Sequence, residues 1–80
     1  MPGMLNSIPK IVGTKQTTKA LQNGQAHKVY LAKDADSHVT EPIRDLCRKH
    51  GVPVVEVETM AELGRACAIT VGAAVAATIK

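Results

Sequence analysis

The apolar residues of this chain fall into short clusters of two alternating periods, and that alternation constrains the fold more than any other feature. Four runs are brief and rich in β-branched or small residues: 8–12, 27–33, 52–57 and 71–79. Between them lie three segments in which apolar residues return every three or four positions, as on one side of a helix. The order strand, helix, strand, helix, strand, helix, strand predicts an α/β sandwich, a sheet covered by helices. Residues 1–7 show neither period and contain Pro2 and Gly3, so they read as a flexible lead-in to one domain over 8–80.

Within the first helical segment, residues 14–23, the two sides separate cleanly. Lys15, Gln16, Lys19, Gln22 and Asn23 share one side, and Thr17, Ala20 and Leu21 the other. Gly24 suits the left-handed position after a last turn. The second segment turns Val39, Ile43, Leu46, Cys47 and His50 inward and Arg44, Asp45, Arg48 and Lys49 outward. Proline is tolerated in a first helical turn, so Pro42 places this start near Val39 or Thr40. Gly51 and Pro53 end it.

Thr59-Met60-Ala61-Glu62 matches a capping box, in which threonine and glutamate side chains satisfy backbone donors at a helix start. The short helix it opens has Met60, Leu63, Ala66 and Cys67 as its inner stripe. Gly64 inside it costs about 1 kcal/mol relative to alanine, so something is expected to approach its backbone closely. Pro9 suits an edge or irregular strand for residues 8–12. The run 71–79 fits either period; its small residues favour a central strand with helices packed on both faces.

Eighty residues make a single domain with a small core. With no Phe or Trp and one Tyr, that core is built from Val, Ile, Leu, Ala and Met, and recognition by exposed aromatic rings stacking on bases is disfavoured. A hydrophobic share of 45% excludes a disordered tail. Two cysteines are too few for a secreted disulfide framework, the N-terminus lacks the pattern of a signal peptide, and no apolar stretch reaches the roughly 18 residues of a membrane span. A soluble cytoplasmic protein with reduced thiols is expected.

The net charge is +3, but its distribution is more informative. Residues 1–33 contain five lysines (Lys10, Lys15, Lys19, Lys28 and Lys33) and no acid, whereas the remainder holds five basic and all seven acidic residues. Such asymmetry fits either a polyanion-binding face or a solvated lysine surface. Residues 13–21 combine the two relevant devices. A helix start offers unpaired N–H groups and partial positive charge to an anion, and Lys15, Gln16 and Lys19 add cations and an amide able to meet base edges. The plain alternative is an ordinary amphipathic surface helix.

Other constellations are weaker. Gly13-Thr14-Lys15 resembles part of a phosphate loop but lacks the preceding spaced glycine. Cys47, His50 and Cys67 invite a zinc or thiol-enzyme reading, yet a structural zinc site needs four ligands, and cysteines on inner stripes pack. His27 and His38 border predicted elements and face solvent. Asp34 and Asp36 form a turn whose acids either do acid-base work or cap a helix.

Taken together, Gly13-Thr14-Lys15-Gln16-Thr17-Thr18-Lys19-Ala20-Leu21, Ala32-Lys33-Asp34-Ala35-Asp36 and Leu63-Gly64-Arg65-Ala66-Cys67-Ala68-Ile69-Thr70-Val71 resemble the L-seven-Ae ribosomal-protein family. The likeness runs from Ile8 onward, and the length and the Lys-Gln pair point to its small bacterial, ribosomal-protein-like branch. The resemblance implies a three-layer α/β/α sandwich around a mixed four-stranded sheet and a non-enzymatic function, the binding of kink-turn RNA, a duplex interrupted by a bulge beside sheared G·A pairs. Ribosomal RNA or a riboswitch would be the partner, with the ribosome as a further one, and no cofactor, metal or membrane is called for; a monomer is expected.

By the same resemblance Gly13, Thr14, Lys15, Gln16 and Lys19 enter the groove at the G·A pairs. Ala68, Ile69, Thr70 and Val71, with Gly64 and Arg65 beside them, cover the bulged nucleotides, and Asp36 lies near the flipped one. Two departures stand out. Lys15-Gln16 replaces the family's usual Asn-Glu, removing a carboxylate and adding a cation, which shifts affinity toward phosphates. Ala68 replaces a common glycine. The alternative reading is a protein-interaction module of the ribosome or a ribonucleoprotein that uses the 68–71 loop.

Overall fold

The computed structural model describes residues 10–67 and 72–79; the lead-in expected over 1–7 and the loop expected over 68–71 lie outside them. The elements are β1 (Lys10–Val12), α1 (Thr14–Gln22), β2 (Ala26–Ala32), α2 (Ser37–His50), β3 (Val54–Val57), α3 (Met60–Ala66) and β4 (Val75–Ile79). The strands form one sheet in the order β1-β4-β2-β3. β4 runs antiparallel to β1 and β2, and β2 runs parallel to β3, so the sheet is mixed. The parallel pair needs a long crossover, which α2 supplies.

Strand periodicity divides the core in two. Val29 and Leu31 of β2 join Val75 and Ala77 of β4 beneath Ala20 and Leu21 of α1 and Ile43 and Cys47 of α2. Tyr30 and Ala32, with Ala76 of β4 and Val57 of β3, face the other way, onto Leu63 and Ala66 of α3 and Cys67. Helices therefore cover both faces, and the α/β/α layering expected from the sequence is what forms. Leu21, Leu31, Ile43 and Leu63 are fully buried, and each contributes roughly 1.5–3 kcal/mol by leaving water. The alanines of β4 keep the middle of the sheet thin, as expected of a central strand.

Several boundaries and orientations differ from expectation. α2 starts at Ser37, because Asp36 caps it: its Oδ1 accepts from the His38 N–H at 2.8 Å. Pro42 consequently lies beyond the first turn. It leaves the His38 carbonyl without its helical donor, but Pro42 and His38 are both exposed, where water can serve that carbonyl. His50 is exposed, and Thr40 is buried in the stripe instead. In α3, Met60 is 36% exposed while Gly64 is buried, since Met60 is the first residue after the cap and lies at the rim of the layer. β3 begins at Val54, because Val52 still closes α2 with its N–H on the Cys47 carbonyl at 2.8 Å.

β4 begins at Val75, later than expected. The residues before it are held differently: Ala73 N–H donates to the Met60 carbonyl at 3.0 Å, and Ala32 N–H to the Ala74 carbonyl at 3.0 Å. Gly72 lies so close to Met60 that a Cβ there would sit 3.1 Å from the Met60 Cβ.

One buried group is poorly served. Thr17 is 0% exposed, and its hydroxyl has no hydrogen-bond partner among the described residues. An unsatisfied buried hydroxyl costs on the order of 1–3 kcal/mol, and valine has nearly the same shape. Thr17→Val should therefore raise stability by about 1 kcal/mol, or about 4–8 °C in Tm for a domain of this size. A thermal melt giving an unchanged or lower Tm would show that the hydroxyl is satisfied in solution.

Candidate nucleic-acid interface

The carboxyl ends of β1, β2 and β3 and the start of β4 lie along one edge of the sheet, as their pairing directions require. α1 opens there directly after β1. Gly13 makes the turn with φ 111 and ψ 152, a conformation that L side chains rarely adopt. Its N–H donates to the Val75 carbonyl at 2.9 Å, which pins the helix start to the start of β4.

The three helices among the described residues begin in different ways. Asp36 caps α2, and the Thr59 hydroxyl caps α3 by accepting from the Glu62 N–H at 3.0 Å. α1 has no side-chain cap and no acidic residue in its first turn. Its first helical bond runs from the Thr17 N–H to the Gly13 carbonyl at 3.0 Å. The N–H groups of Thr14, Lys15 and Gln16 therefore have no carbonyl one turn back to meet, and they carry the partial positive charge of the helix end. Thr14, Lys15, Gln16 and Lys19 are exposed.

Lys15, Gln16, Thr18, Lys19 and Gln22 line one open depression along the outer side of α1. The ion pairs among the described residues are Lys33–Glu58 (3.2 Å), Arg44–Glu56 (2.9 Å) and Arg48–Asp45 (3.7 Å), and they engage neither Lys15 nor Lys19. The buried side, Thr17, Ala20 and Leu21, is the one the sequence predicted. Burial on that side holds the basic and amide groups outward.

The remaining candidates are placed as follows. The β2–α2 turn lies at the same sheet edge as the α1 start. Both its acids serve the fold: Asp36 caps α2, and Asp34 Oδ1 accepts from the Met60 N–H at 2.8 Å, joining the turn to α3. A carboxylate retains further acceptor capacity, so the cap does not use up Asp36. Gly64 is buried and Arg65 exposed on α3, across the sheet from α1. Ala68, Ile69, Thr70 and Val71 lie outside the described residues. The sequence reading missed Met60 and Gly72, whose close contact and exposure put an apolar surface at this same edge. A glycine ahead of the β4 run was the available signal.

The cysteines do not assemble a site. Cys47 belongs to the core beneath α1 and α2 and Cys67 to the core beneath α3, on opposite faces of the sheet, while His50 is exposed. Burial pushes both thiols above their ordinary range, against the smaller opposing effects of Arg44 at Cys47 and Lys10 at Cys67. Burial likewise raises Tyr30, with Cys67 adding to it. These are neutral packing groups and not activated nucleophiles.

A family model described as the ribosomal protein L7Ae/L30e/S12e/Gadd45 family matches residues 9–80. The chain belongs to this family. An RNA-binding protein of Caldanaerobacter subterraneus subsp. tengcongensis is 49% identical over 70 residues, covering 88% of this chain and 85% of that protein. The RNA-binding protein YbxF of Geobacillus stearothermophilus is 43% identical over 70 residues with the same coverage, 88% and 85%. Large ribosomal subunit protein eL8 of Halobacterium salinarum is 40% identical over 68 residues, 84% of this chain and 57% of that one. Among solved structures, a 15.5 kD RNA-binding protein of Giardia lamblia has a TM-score of 0.85 at 32% identity, covering 90% of this chain and 61% of its own. Among the described residues no helix is long and apolar enough to cross a membrane.

Two outcomes follow from these placements. Asp36→Ala should cost about 1 kcal/mol of stability, whereas Asp36→Asn, an equally good cap, should melt within about 0.5 kcal/mol of wild type; equal losses in the two variants would rule out the cap as the reason. The thiols give a pH dependence. Their raised folded values mean that the native state keeps protons that the unfolded state releases near the ordinary value of 9.0, so stability is full below that pH and falls above it. Melts from pH 8 to 10.5 should fall more steeply for wild type than for the Cys47→Ala/Cys67→Ala variant, and parallel curves would exclude the thiols.

Proposed function

We propose that this family member is a non-enzymatic RNA-binding protein that recognises kink-turn RNA through the start of α1. The observation that carries the reading is the uncapped α1 start, its free N–H groups flanked by exposed Lys15, Gln16 and Lys19, in a protein whose relatives are named as RNA-binding and ribosomal proteins.

Regular A-form RNA hides its base edges in a deep, narrow groove. A helix end can reach bases only where the duplex is bent and opened, as at sheared G·A pairs beside a bulge. In that setting the α1 N–H groups and Lys19 meet phosphate, Lys15 donates to the O6 and N7 acceptors of guanine, and Gln16 meets adenine through its donor-acceptor pair. Gly13 and Thr14 allow close backbone approach. Asp36 offers an acceptor at the same edge, and Gly64, Arg65 and the loop residues Ala68, Ile69, Thr70 and Val71 complete the site around the bulge. The RNA is ribosomal RNA, with the ribosome as partner, or a riboswitch. The protein acts as a cytoplasmic monomer, as one domain over residues 8–80.

Replacing the family's Asn-Glu with Lys15-Gln16 puts more of the affinity into phosphate contacts. Binding should therefore weaken steeply with salt, since neutralised phosphates release counterions. Lys15→Ala and Lys19→Ala should each weaken kink-turn binding by about 1–3 kcal/mol, measured by titration at fixed salt. Equal affinity for a kink-turn RNA and an uninterrupted duplex of the same length would overturn the reading, as would wild-type binding by the double variant.

A further inference from the structure

The outer side of α1 does not end at Lys19. Beyond it, between the helix and the β1 edge of the sheet, is a second cleft of about 220 Å³. Its floor is apolar: Ala20 is buried, and Ile11 and Ile79 are half-buried side chains on the α1 side of the sheet. Its rim is polar, formed by Gln16, Lys19, Asn23 and Gln25. Among the described residues no Asp or Glu side chain lines it.

The rim is held by backbone, and among the described residues nothing engages its amide side chains. Asn23 N–H donates to the Lys19 carbonyl at 3.0 Å, Gly24 N–H to the Leu21 carbonyl at 3.1 Å and Gln25 N–H to the Ala20 carbonyl at 2.9 Å, with Gly24 left-handed at φ 69. None of the side-chain hydrogen bonds among the described residues involves the amides of Gln16, Asn23 or Gln25. Amides with both a donor and an acceptor, one cation and an aliphatic floor are together the complement of one nucleotide: a planar apolar face, a hydrogen-bonding edge and a phosphate. The cleft is smaller than the roughly 300–1,000 Å³ of pockets that enclose a whole small-molecule ligand, so it admits one planar group and not a dinucleotide cofactor.

We infer that this cleft takes the base of a single unpaired nucleotide flanking the kink turn. The inference rests on the proposed RNA-binding function and extends its footprint, because Gln16 and Lys19 belong to both the helix start and the cleft. A paired base keeps its faces in the stack, so only an unpaired one can lay a face on Ile11 and Ile79. α1 spans 9 residues, or about 14 Å at ~1.5 Å per residue. At the ~3.4 Å rise of a stacked strand, that is about four nucleotides from the RNA at the helix start.

The test compares a blunt kink-turn RNA with the same RNA carrying six unpaired nucleotides at one 3′ or 5′ end, and with abasic versions of those extensions. One of the two extensions should tighten binding by about three- to tenfold, less than stacking on an aromatic ring would give. That gain should vanish with the abasic extension and in Asn23→Ala/Gln25→Ala, whose affinity for the blunt RNA should match wild type. The same extension should shift the Ile11 and Ile79 methyl resonances beyond the shifts caused by blunt RNA, a readout that does not depend on the variant folding. A gain from neither extension, a gain that survives the abasic replacement, or silent Ile11 and Ile79 methyls would each overturn the inference while leaving the kink-turn reading in place. Blunt kink-turn RNA binding no better than duplex would instead count against the function itself.

Discussion

Both faces of a four-stranded sheet have to be covered in a chain with no Phe or Trp, and the rest of the structure depends on how that is done. The solution is thin layers. β2 sends Val29 and Leu31 to one side and Tyr30 and Ala32 to the other, while β4 sends small residues to both. Alanines in the central strand let the helices approach the sheet, so that aliphatic side chains of modest length suffice to exclude water. The arrangement uses almost every apolar side chain among the described residues, and few of them remain to bury a fully apolar helix. α1 can therefore spare only Thr17, Ala20 and Leu21 for the core, and its outer side is polar.

That division explains where a binding surface can form. Helix starts normally consume their free N–H groups in side-chain caps, as Asp36 and Thr59 do at α2 and α3. A missing cap forgoes about 0.5–2 kcal/mol of stability when serine, threonine, asparagine or aspartate is absent, though glycine in that position loses only a few tenths. Gly13 makes this loss small and at the same time supplies the positive φ that turns the chain out of β1. The hydrogen bond from Gly13 to Val75 then fixes the uncapped end against the sheet. Among the described residues these donors are rigidly held and unspent, which is the condition under which they interact most strongly with an anion.

The fold was legible where one physical effect dominated. The α1 residues separate by side because its polar and apolar groups hardly mix, and the burial of Thr17, Ala20 and Leu21 follows from spacing alone. α2 is harder, because two local rules compete. The proline rule pulls the start toward Val39, whereas the cap at Asp36 pulls it to Ser37, and the cap prevails because the carbonyl that Pro42 orphans is exposed. His50 and Met60 have helical spacing but sit at the ends of their helices, where a side chain on the correct azimuth can still project past the layer it would pack on. The start of β4 could not be read because residues 71–79 carry both periods. Of the candidate site, the α1 portion is legible from charge and capping logic. Met60 and Gly72 were not, because their contact joins residues twelve apart in sequence across the α3–β4 connection.

The Lys15-Gln16 pair bears on how such a surface balances affinity against discrimination. A carboxylate at the helix start would accept a hydrogen bond from a base but repel every phosphate near it. Removing it makes the outer side of α1 uniformly attractive to a polyanion, and lysine alone discriminates poorly because it is a mobile point charge. The amides compensate: Gln16, Gln22, Asn23 and Gln25 all lie along α1 or its exit, and each carries a donor and an acceptor whose positions are fixed relative to one another. In the proposed complex lysine would attract RNA without regard to sequence, and the amides would distinguish base edges over the length of the helix. On this view the selectivity lost with the carboxylate at one position is spread along α1, so contacts well beyond the helix start bear on which RNA is preferred.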